Sequence, residues 1–154
     1  MNRTQSGFSL VEMMVVMAII AVLSAGGFHG WQQWQQRQHL WQTAQQLRHF
    51  LAHLRNDANW HNRTHLIKLE QNGESWNLTS SQRLAGRDDV RLQFSPEFKG
   101  ISVEDISSGL GFYGVRNTAW PGHIVLTSAA GKWKVTLSVW GRTRLCEVAE
   151  GKPC

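Results

Sequence analysis

An apolar run near the amino terminus, interrupted by one carboxylate, constrains this chain more than any other feature. Residues 8–28 contain a single charged side chain, that of Glu12. At 1.5 Å per residue, a helix of about 20 residues is ~30 Å long, which is the thickness of the hydrocarbon core of a bilayer. The run therefore predicts a membrane-spanning helix over residues 8–28.

The carboxylate in this run needs a physical explanation. A charge near hydrocarbon costs roughly 2.5–3.5 kcal/mol or more, so Glu12 requires a partner. A buried carboxylate is tolerated mainly when it is paired with a cation and hydrogen-bonded.

The alternative for such a beginning is a secretory signal peptide that is cleaved near Leu23–Gly27. Three features argue against it. Glu12 interrupts the apolar core, the core is longer than the usual 7–15 residues, and no break separates it from the helical pattern that follows. We therefore favour a helix that is retained in the mature protein.

The motif at the start of this run is specific. A short basic leader ends in Gly7, Phe8 follows, Glu12 is the fifth residue after Gly7, and the helix then continues as apolar residues. This order resembles type IV prepilins and type II secretion pseudopilins. The resemblance implies that a prepilin peptidase removes residues 1–7 by cleavage between Gly7 and Phe8, and then N-methylates Phe8. It also implies that Glu12 pairs with the amino terminus of a neighbouring subunit during assembly.

Location and partners follow from the same resemblance. Arg3 precedes the span, so we expect the amino terminus in the cytoplasm and the rest of the chain in the periplasm of a bacterium, anchored once in the inner membrane. The protein would then move to the tip of a pilus or pseudopilus. Its expected partners are the prepilin peptidase, inner-membrane lipid, other minor pilins or pseudopilins, and the major pilin.

The helical pattern continues beyond the apolar run. Apolar residues recur at intervals of three and four with Gln, Arg and His between them, which predicts an amphipathic half of the helix over residues 29–60. We place the last helical residues near Arg55–Asp57. Gly26, Gly27 and Gly30 each weaken a helix by about 1 kcal/mol, so we expect a flexible or partly melted junction there.

The remaining residues, 61–154, predict a β-rich head. The apolar period changes to two after residue 62 and turn residues multiply, as in antiparallel strands. Asn72-Gly73 and Ala130-Gly131 indicate hairpins. The predicted fold class is α+β and pilin-like, with the long amino-terminal helix packed on an antiparallel sheet or two small sheets. The predicted strands are His65–Glu70, Ser75–Thr79, Val90–Phe94, Ile101–Val103, Gly111–Val115, His123–Thr127, Lys132–Trp140 and Thr143–Val148.

The head adds detail to the resemblance. The order of its strands, including Gly111–Gly114 and the string Gly141–Arg144, is similar to minor pseudopilins of the H kind and minor pilins of the T and U kind. These proteins are structural subunits that help to prime filament assembly at the tip. Four segments are closer still to enterobacterial prepilin peptidase-dependent proteins: Gln32–Trp41, Asp57–His61, Arg116–Gly122 and Trp140–Cys146.

Cys146 and Cys154 are the two cysteines of the chain. In an oxidising periplasm, an even number of cysteines close together near a chain end is most simply a disulfide. We expect this bond to pin the carboxyl-terminal tail. The alternative is two free thiols.

A basic cluster suggests a second function. Lys132, Lys134, Arg142 and Arg144 lie in a segment without acidic residues, and Trp133 and Trp140 lie among them. Phosphates are neutralised by Lys and Arg and bases stack on indoles, so the cluster suits DNA. The string Gly141–Arg144 is also similar to one in DNA-binding minor pilins of the T kind. The alternative interpretation is a solvated sheet face or a contact to a neighbouring pilin.

Other motifs carry no functional prediction. The string Gly109–Gly114 matches a dinucleotide-binding pattern, but no helix is expected after it. The pairs His49/His53 and His61/His65 lack a third ligand, so we expect solvated or capping histidines, no metal site and no cofactor. No nucleophile, general base or carboxylate pair has a recognisable spacing, so we expect no enzymatic activity.

Overall fold

The structure is a computed structural model and describes residues 9–73, 75–81, 92–114 and 117–148. Backbone contacts divide the chain into two compact units, residues 1–35 and residues 36–154. In the described part of the chain, the first unit holds the beginning of helix α1. The second unit holds the rest of α1 and nine strands.

Helix α1 runs from Leu10 to His61. It is helical through Gly26, Gly27 and Gly30, so these glycines do not interrupt the helix as the predicted partial melting required, whereas the flexibility predicted for this junction stays a prediction. The cost of three glycines is small beside the cooperativity of a helix of 52 residues.

The helix also ends four residues later than predicted. Asn62 has a φ of 54°, in the left-handed region, and the Arg63 amide donates to the Ala58 carbonyl at 3.0 Å. This is a Schellman-type ending with Asn at the left-handed position. The physical signal for the helix end was therefore Asn62 rather than the polar run Arg55–Asp57.

The nine strands form two antiparallel sheets, as the alternating pattern indicated. Sheet A has the order β3-β2-β1-β5-β6 and sheet B has the order β4-β7-β8-β9. The strands are β1 Thr64–Asn72, β2 Ser75–Ser81, β3 Leu92–Phe94, β4 Ser102–Ile106, β5 Gly111–Tyr113, β6 Thr118–Trp120, β7 Gly122–Ser128, β8 Gly131–Leu137 and β9 Thr143–Glu147.

Both predicted hairpins are present. The β1–β2 hairpin pairs Asn72 with Ser75, and Gly73 has a φ of 61°. The β7–β8 hairpin pairs Ser128 with Gly131.

Strand β6 was not predicted. It pairs with β5, and its Ala119 amide donates to the Val139 carbonyl at 2.8 Å. Val139 lies in the β8–β9 turn, whereas the sequence pattern predicts a strand as far as Trp140.

The core of the second unit lies between α1 and the two sheets. The helix contributes small and aliphatic side chains at intervals of three and four, which are fully buried. The predicted α+β arrangement, a long helix packed on antiparallel sheets, is thereby confirmed. The helical core residues are Leu40, Ala44, Leu47, Leu51, Leu54 and Ala58.

Candidate functional site

The predicted cleavage site, Gly7 and Phe8, lies outside the described residues. Glu12 lies in the first turn of α1 and is exposed. Negative charge in this turn is favourable because the free amide groups of a helix start carry partial positive charge. No ion pair holds Glu12 within the described part of the chain, so its carboxylate is available to a partner.

The helix around Glu12 exposes large apolar side chains in the isolated chain. Leu10 is 77% exposed and Leu23 is 71% exposed, and the Val, Met and Ile side chains between them are at least 46% exposed. Apolar surface of this extent marks a site of contact with membrane or protein. Among the described residues, no helix meets the length and hydropathy needed to cross a membrane.

Sheet B gathers the predicted basic residues, and its pairing shows which share a face. On β8, Lys132 and Lys134 alternate with Trp133 and Val135, and the latter two pack towards the core. Arg144 on β9 stands opposite Thr136, which places its side chain on the same outer face as Lys132 and Lys134. The predicted common face is therefore present.

The four basic residues, Lys132, Lys134, Arg142 and Arg144, differ in whether a carboxylate lies within ion-pair distance. Lys132 Nζ lies 2.6 Å from Glu104 Oε1 of β4, so its charge is matched. No carboxylate of the described residues forms an ion pair with Lys134, Arg142 or Arg144. The sequence offered no sign of this difference, because β4 reaches the basic face only through its pairing with β7.

The two tryptophans of the basic segment also differ. Trp133 is half-buried and packs against the core, so only part of its ring faces solvent. Trp140 is 70% exposed in the β8–β9 turn, next to Gly141 and Arg142. Gly141 has a φ of 70°, and a Cβ there would lie 2.9 Å from Arg55 Nε, so this turn requires glycine.

Two groups of Asp, His and Ser were missed by the sequence analysis. In the first, His65 Nε2 lies 2.6 Å from Asp57 Oδ2, and His65 Nδ1 lies 2.8 Å from Ser80 Oγ. His65 is fully buried, so its assignment as a solvated or capping residue is wrong. It occupies the inward position of β1, two residues before the buried Ile67, and this alternation was the available signal.

The second group lies on sheet B. His123 Nε2 is 2.6 Å from Asp105 Oδ2, and His123 Nδ1 is 3.1 Å from Ser107 Oγ. The Ser107 hydroxyl also accepts from the backbone amide of His123 at 3.0 Å. Here the side chains of His123 and Asp105 are 33% and 59% exposed. We name the first group the buried triplet, in which His65 and Ser80 are fully buried and the Asp57 side chain is 21% exposed. The second group is the exposed triplet (Asp105, His123, Ser107).

The surroundings of the buried triplet do not resemble those of a hydrolytic site. Ser80 and His65 of the buried triplet have no solvent-accessible surface, so no substrate reaches them. A concavity of about 440 Å³ is an open groove along side chains of α1, from Trp41 to His49. The described residues contain no group of three His, Cys, Asp or Glu side chains placed to hold a metal.

Cys146 lies on β9 and is disulfide-bonded. Cys154, the other half of the predicted pair, lies outside the described residues. The pairing of the two stays a prediction.

Comparison with known proteins gave one match to the amino-terminal segment and one to the fold. Residues 2–28 match the family described as "Prokaryotic N-terminal methylation motif". No curated protein sequence matches the chain at a significant level. The fold is similar to that of the type IV minor pilin FimU from Pseudomonas aeruginosa, with a TM-score of 0.54 at 17% identity, over 73% of this chain and 91% of that chain.

These findings confirm the predicted methylation motif and the predicted pilin-like fold. The methylation motif covers Gly7, Phe8 and Glu12, and the similarity to FimU concerns the fold of the helix and sheets. The chain therefore combines the prokaryotic N-terminal methylation motif with the fold of a type IV minor pilin.

Proposed function

We propose that this protein is a minor pilin or pseudopilin, a non-enzymatic subunit that helps to form the tip complex priming assembly of a type IV pilus or a type II secretion pseudopilus. The observation that carries the proposal is the methylation motif at residues 2–28 at the start of a helix that belongs to a pilin fold. The motif predicts cleavage by prepilin peptidase between Gly7 and Phe8 and N-methylation of Phe8.

The surface of the amino-terminal unit supports assembly with other subunits. Its apolar side chains from Leu10 to Leu23 are exposed in the single chain, and they would be buried by lipid before assembly and by neighbouring helices after it. Glu12 is the charged residue of this surface. A neighbour's amino terminus beside it would supply the counter-charge that a carboxylate needs in an apolar setting. This requirement implies that another subunit lies alongside.

The finer assignment rests on the resemblance of the head. The string Gly111–Gly114 and the turn before β9 are similar to minor pseudopilins of the H kind and minor pilins of the T and U kind. This resemblance supports a role as an initiating subunit rather than as the major pilin. Four segments of the chain are also similar to prepilin peptidase-dependent proteins of enterobacteria.

The test is assembly in cells that lack this protein. We expect shed pilin to fall in these cells, and to be restored by the wild-type chain but not by Glu12→Val. Glu12→Asp keeps the charge and is the matched control, which should restore assembly at least partly. Membrane fractionation should find the Glu12→Val chain inserted like the wild type. Sheared pilin equal to wild type in Glu12→Val cells would contradict the role given to Glu12.

A second function, binding of extracellular DNA in uptake, is favoured by one observation. Lys134, Arg142 and Arg144 have no carboxylate partner among the described residues, and the exposed Trp140 lies in the turn that leads to Arg142. Unmatched cations attract phosphates, and an exposed indole can stack on a base. The moderate net charge of +5 gives only weak long-range attraction.

The ion pair between Lys132 and Glu104 on sheet B provides a matched control for the test of DNA binding. For the full chain in detergent micelles, we expect Arg142→Ala/Arg144→Ala to reduce the slope of log K against log salt by about two contacts, each worth ~0.7–0.9. Lys132→Ala should leave the slope nearly unchanged, because Glu104 already neutralises Lys132. Undetectable binding of the wild-type chain at low salt, or equal slopes for both variants, would exclude the DNA function.

A further inference from the structure

The buried triplet joins three separate elements of the second unit. Asp57 belongs to the penultimate turn of α1, His65 to β1 and Ser80 to β2. His65 is central, because one ring nitrogen contacts the carboxylate and the other contacts the hydroxyl. Its backbone carbonyl also lies against Gly111 of β5, where an added Cβ would collide with it. The ring therefore cannot move without disturbing the helix and two strands.

We propose that the buried triplet is an acid-tolerant latch, which fastens the end of α1 to sheet A and is released when the Asp57 carboxylate takes up a proton. The proposal concerns the stability of the head and is independent of the filament in which the protein works. It rests on the geometry of the three side chains and on what each atom can donate or accept.

The hydrogen bonds of the triplet can be satisfied with the imidazole neutral or charged. In both states the Nε2–H group donates to Asp57 Oδ2. In the neutral ring, Nδ1 accepts from the Ser80 hydroxyl, and in the charged ring, Nδ1–H donates to the Ser80 oxygen. A hydroxyl makes this exchange by rotating its hydrogen. Gain or loss of the ring proton therefore requires no movement of a heavy atom.

Protonation of Asp57 has a different consequence. When the His65 ring carries a charge, a neutral carboxyl group would leave this buried cation without a counter-charge. Breaking a buried ion pair in this way is strongly destabilising, because an isolated charge in the protein interior has lost its hydration. The carboxylate is therefore the component of the latch that fails in acid.

The groups around Asp57 delay this failure. On α1, His61 Nδ1 lies 2.9 Å from Asp57 Oδ1, and Arg63 lies just after the helix. β2 contributes the uncharged Ser80, and on β5 the residue opposite His65 is the apolar Phe112. The described residues that face the triplet from these elements thus add positive charge and no second carboxylate.

This environment determines the direction in which the pKa of Asp57 is shifted from its ordinary value. Burial raises it, but the hydrogen bond and charge of His65, with the charges of His61 and Arg63, lower it more, so the pKa lies below its ordinary value. A lowered carboxyl pKa means that the carboxylate contributes its full stability above the ordinary value of about 3.9. That contribution is lost as the pH falls through the lower pKa of the folded protein.

The exposed triplet is a control within the same molecule. It has the same atom types and the same 2.6 Å contact between Nε2 and a carboxylate oxygen. Solvent reaches both His123 and Asp105, so water screens their charges and can replace either partner. A latch that depends on burial must be absent there.

The experiment follows acid unfolding of the full chain in detergent micelles by near-ultraviolet circular dichroism from pH 8 to pH 2. We expect Asp57→Asn to raise the midpoint by at least about one pH unit, because the variant offers the buried imidazole no counter-charge at any pH, whereas the wild-type carboxylate offers one down to its own lowered pKa. Asp57→Asn/His65→Gln removes both titrating groups and should return the midpoint to the wild-type value or below it. Asp105→Asn should match the wild type. Equal midpoints for Asp57→Asn and Asp105→Asn would overturn the proposal.

A second measurement needs no variant, in case Asp57→Asn does not fold. Carboxyl ¹³C resonances of the wild-type chain report the protonation of Asp57 directly. We expect Asp57 to titrate below the ordinary value, together with the loss of the near-ultraviolet signal. Protonation of Asp57 while that signal remains intact would show that the carboxylate does not hold the head together, and would overturn the proposal.

Discussion

The two Asp–His–Ser triplets have nearly the same chemistry and different surroundings. Each has a 2.6 Å contact between imidazole Nε2 and a carboxylate, and a serine hydroxyl at Nδ1. His65 is fully buried between α1 and sheet A, whereas His123 is one-third exposed on the outer face of sheet B. The comparison teaches that contact distance alone does not determine what such a group contributes. Access of water decides whether losing a partner is costly.

The largest expected effect comes from removing each imidazole in turn. His65→Ala leaves a cavity, an unpaired Ser80 hydroxyl and a carboxylate without its partner, and should lower the free energy of unfolding by about 3 kcal/mol or more. His123→Ala should cost about 0–1 kcal/mol, because solvent replaces the ring. Urea unfolding of the full chain in detergent micelles measures both. Equal losses of unfolding free energy in His65→Ala and His123→Ala would contradict the difference that we infer between the two triplets.

A smaller difference is expected at the glycine beside each triplet. In Gly111→Ala, the new methyl group meets the His65 backbone carbonyl within the β1–β5 ladder, and we expect a loss of about 1–3 kcal/mol. In Gly122→Ala, it meets the Ser107 Cβ at 2.6 Å, in a loop that can shift more easily than a strand. The loss at Gly122 should therefore be smaller. Thermal unfolding of the two variants decides the order, and a larger loss at Gly122 would contradict it.

The smallest difference is expected at the serines. Ser80→Ala leaves Nδ1 of a buried ring without a hydrogen bond, which costs about 1–2 kcal/mol. Ser107→Ala removes contacts to His123 that water can replace, so we expect less than about 1 kcal/mol. Amide hydrogen exchange at β1 and β7 sharpens the test, since Ser80→Ala should accelerate exchange in β1. If Ser80→Ala accelerated exchange in β7 and not in β1, the role given to Ser80 in holding β1 would be wrong.

Sequence patterns predicted the parts of this fold that depend on neighbours along the chain. The β1–β2 hairpin follows from Asn72-Gly73, and the buried helix face follows from leucines at intervals of three and four. The unpredicted β6 is short, and besides its pairing with β5 it donates a hydrogen bond to the distant β8–β9 turn. The end of α1 depends on one left-handed Asn62. These features depend on tertiary pairing or on a single residue's conformation.

The candidate sites show the same division. The common face of Lys132 and Lys134 was readable from strand alternation, but the partner of Lys132 was not, because Glu104 lies on a strand distant in the sequence. His65 could have been recognised, since it shares the inward positions of β1 with Ile67. Its partners Asp57 and Ser80 could not, because packing of α1 on sheet A brings them together.

The central claim, that this chain is a processed pilin-type subunit, is tested most directly by the mass of the mature protein. We would purify it from cells with and without prepilin peptidase and determine its amino terminus by mass spectrometry. The account predicts a chain that begins at N-methylated Phe8 and, without the peptidase, retains residues 1–7. A mature chain cut near Leu23–Gly27, or one with an intact leader in wild-type cells, would contradict it.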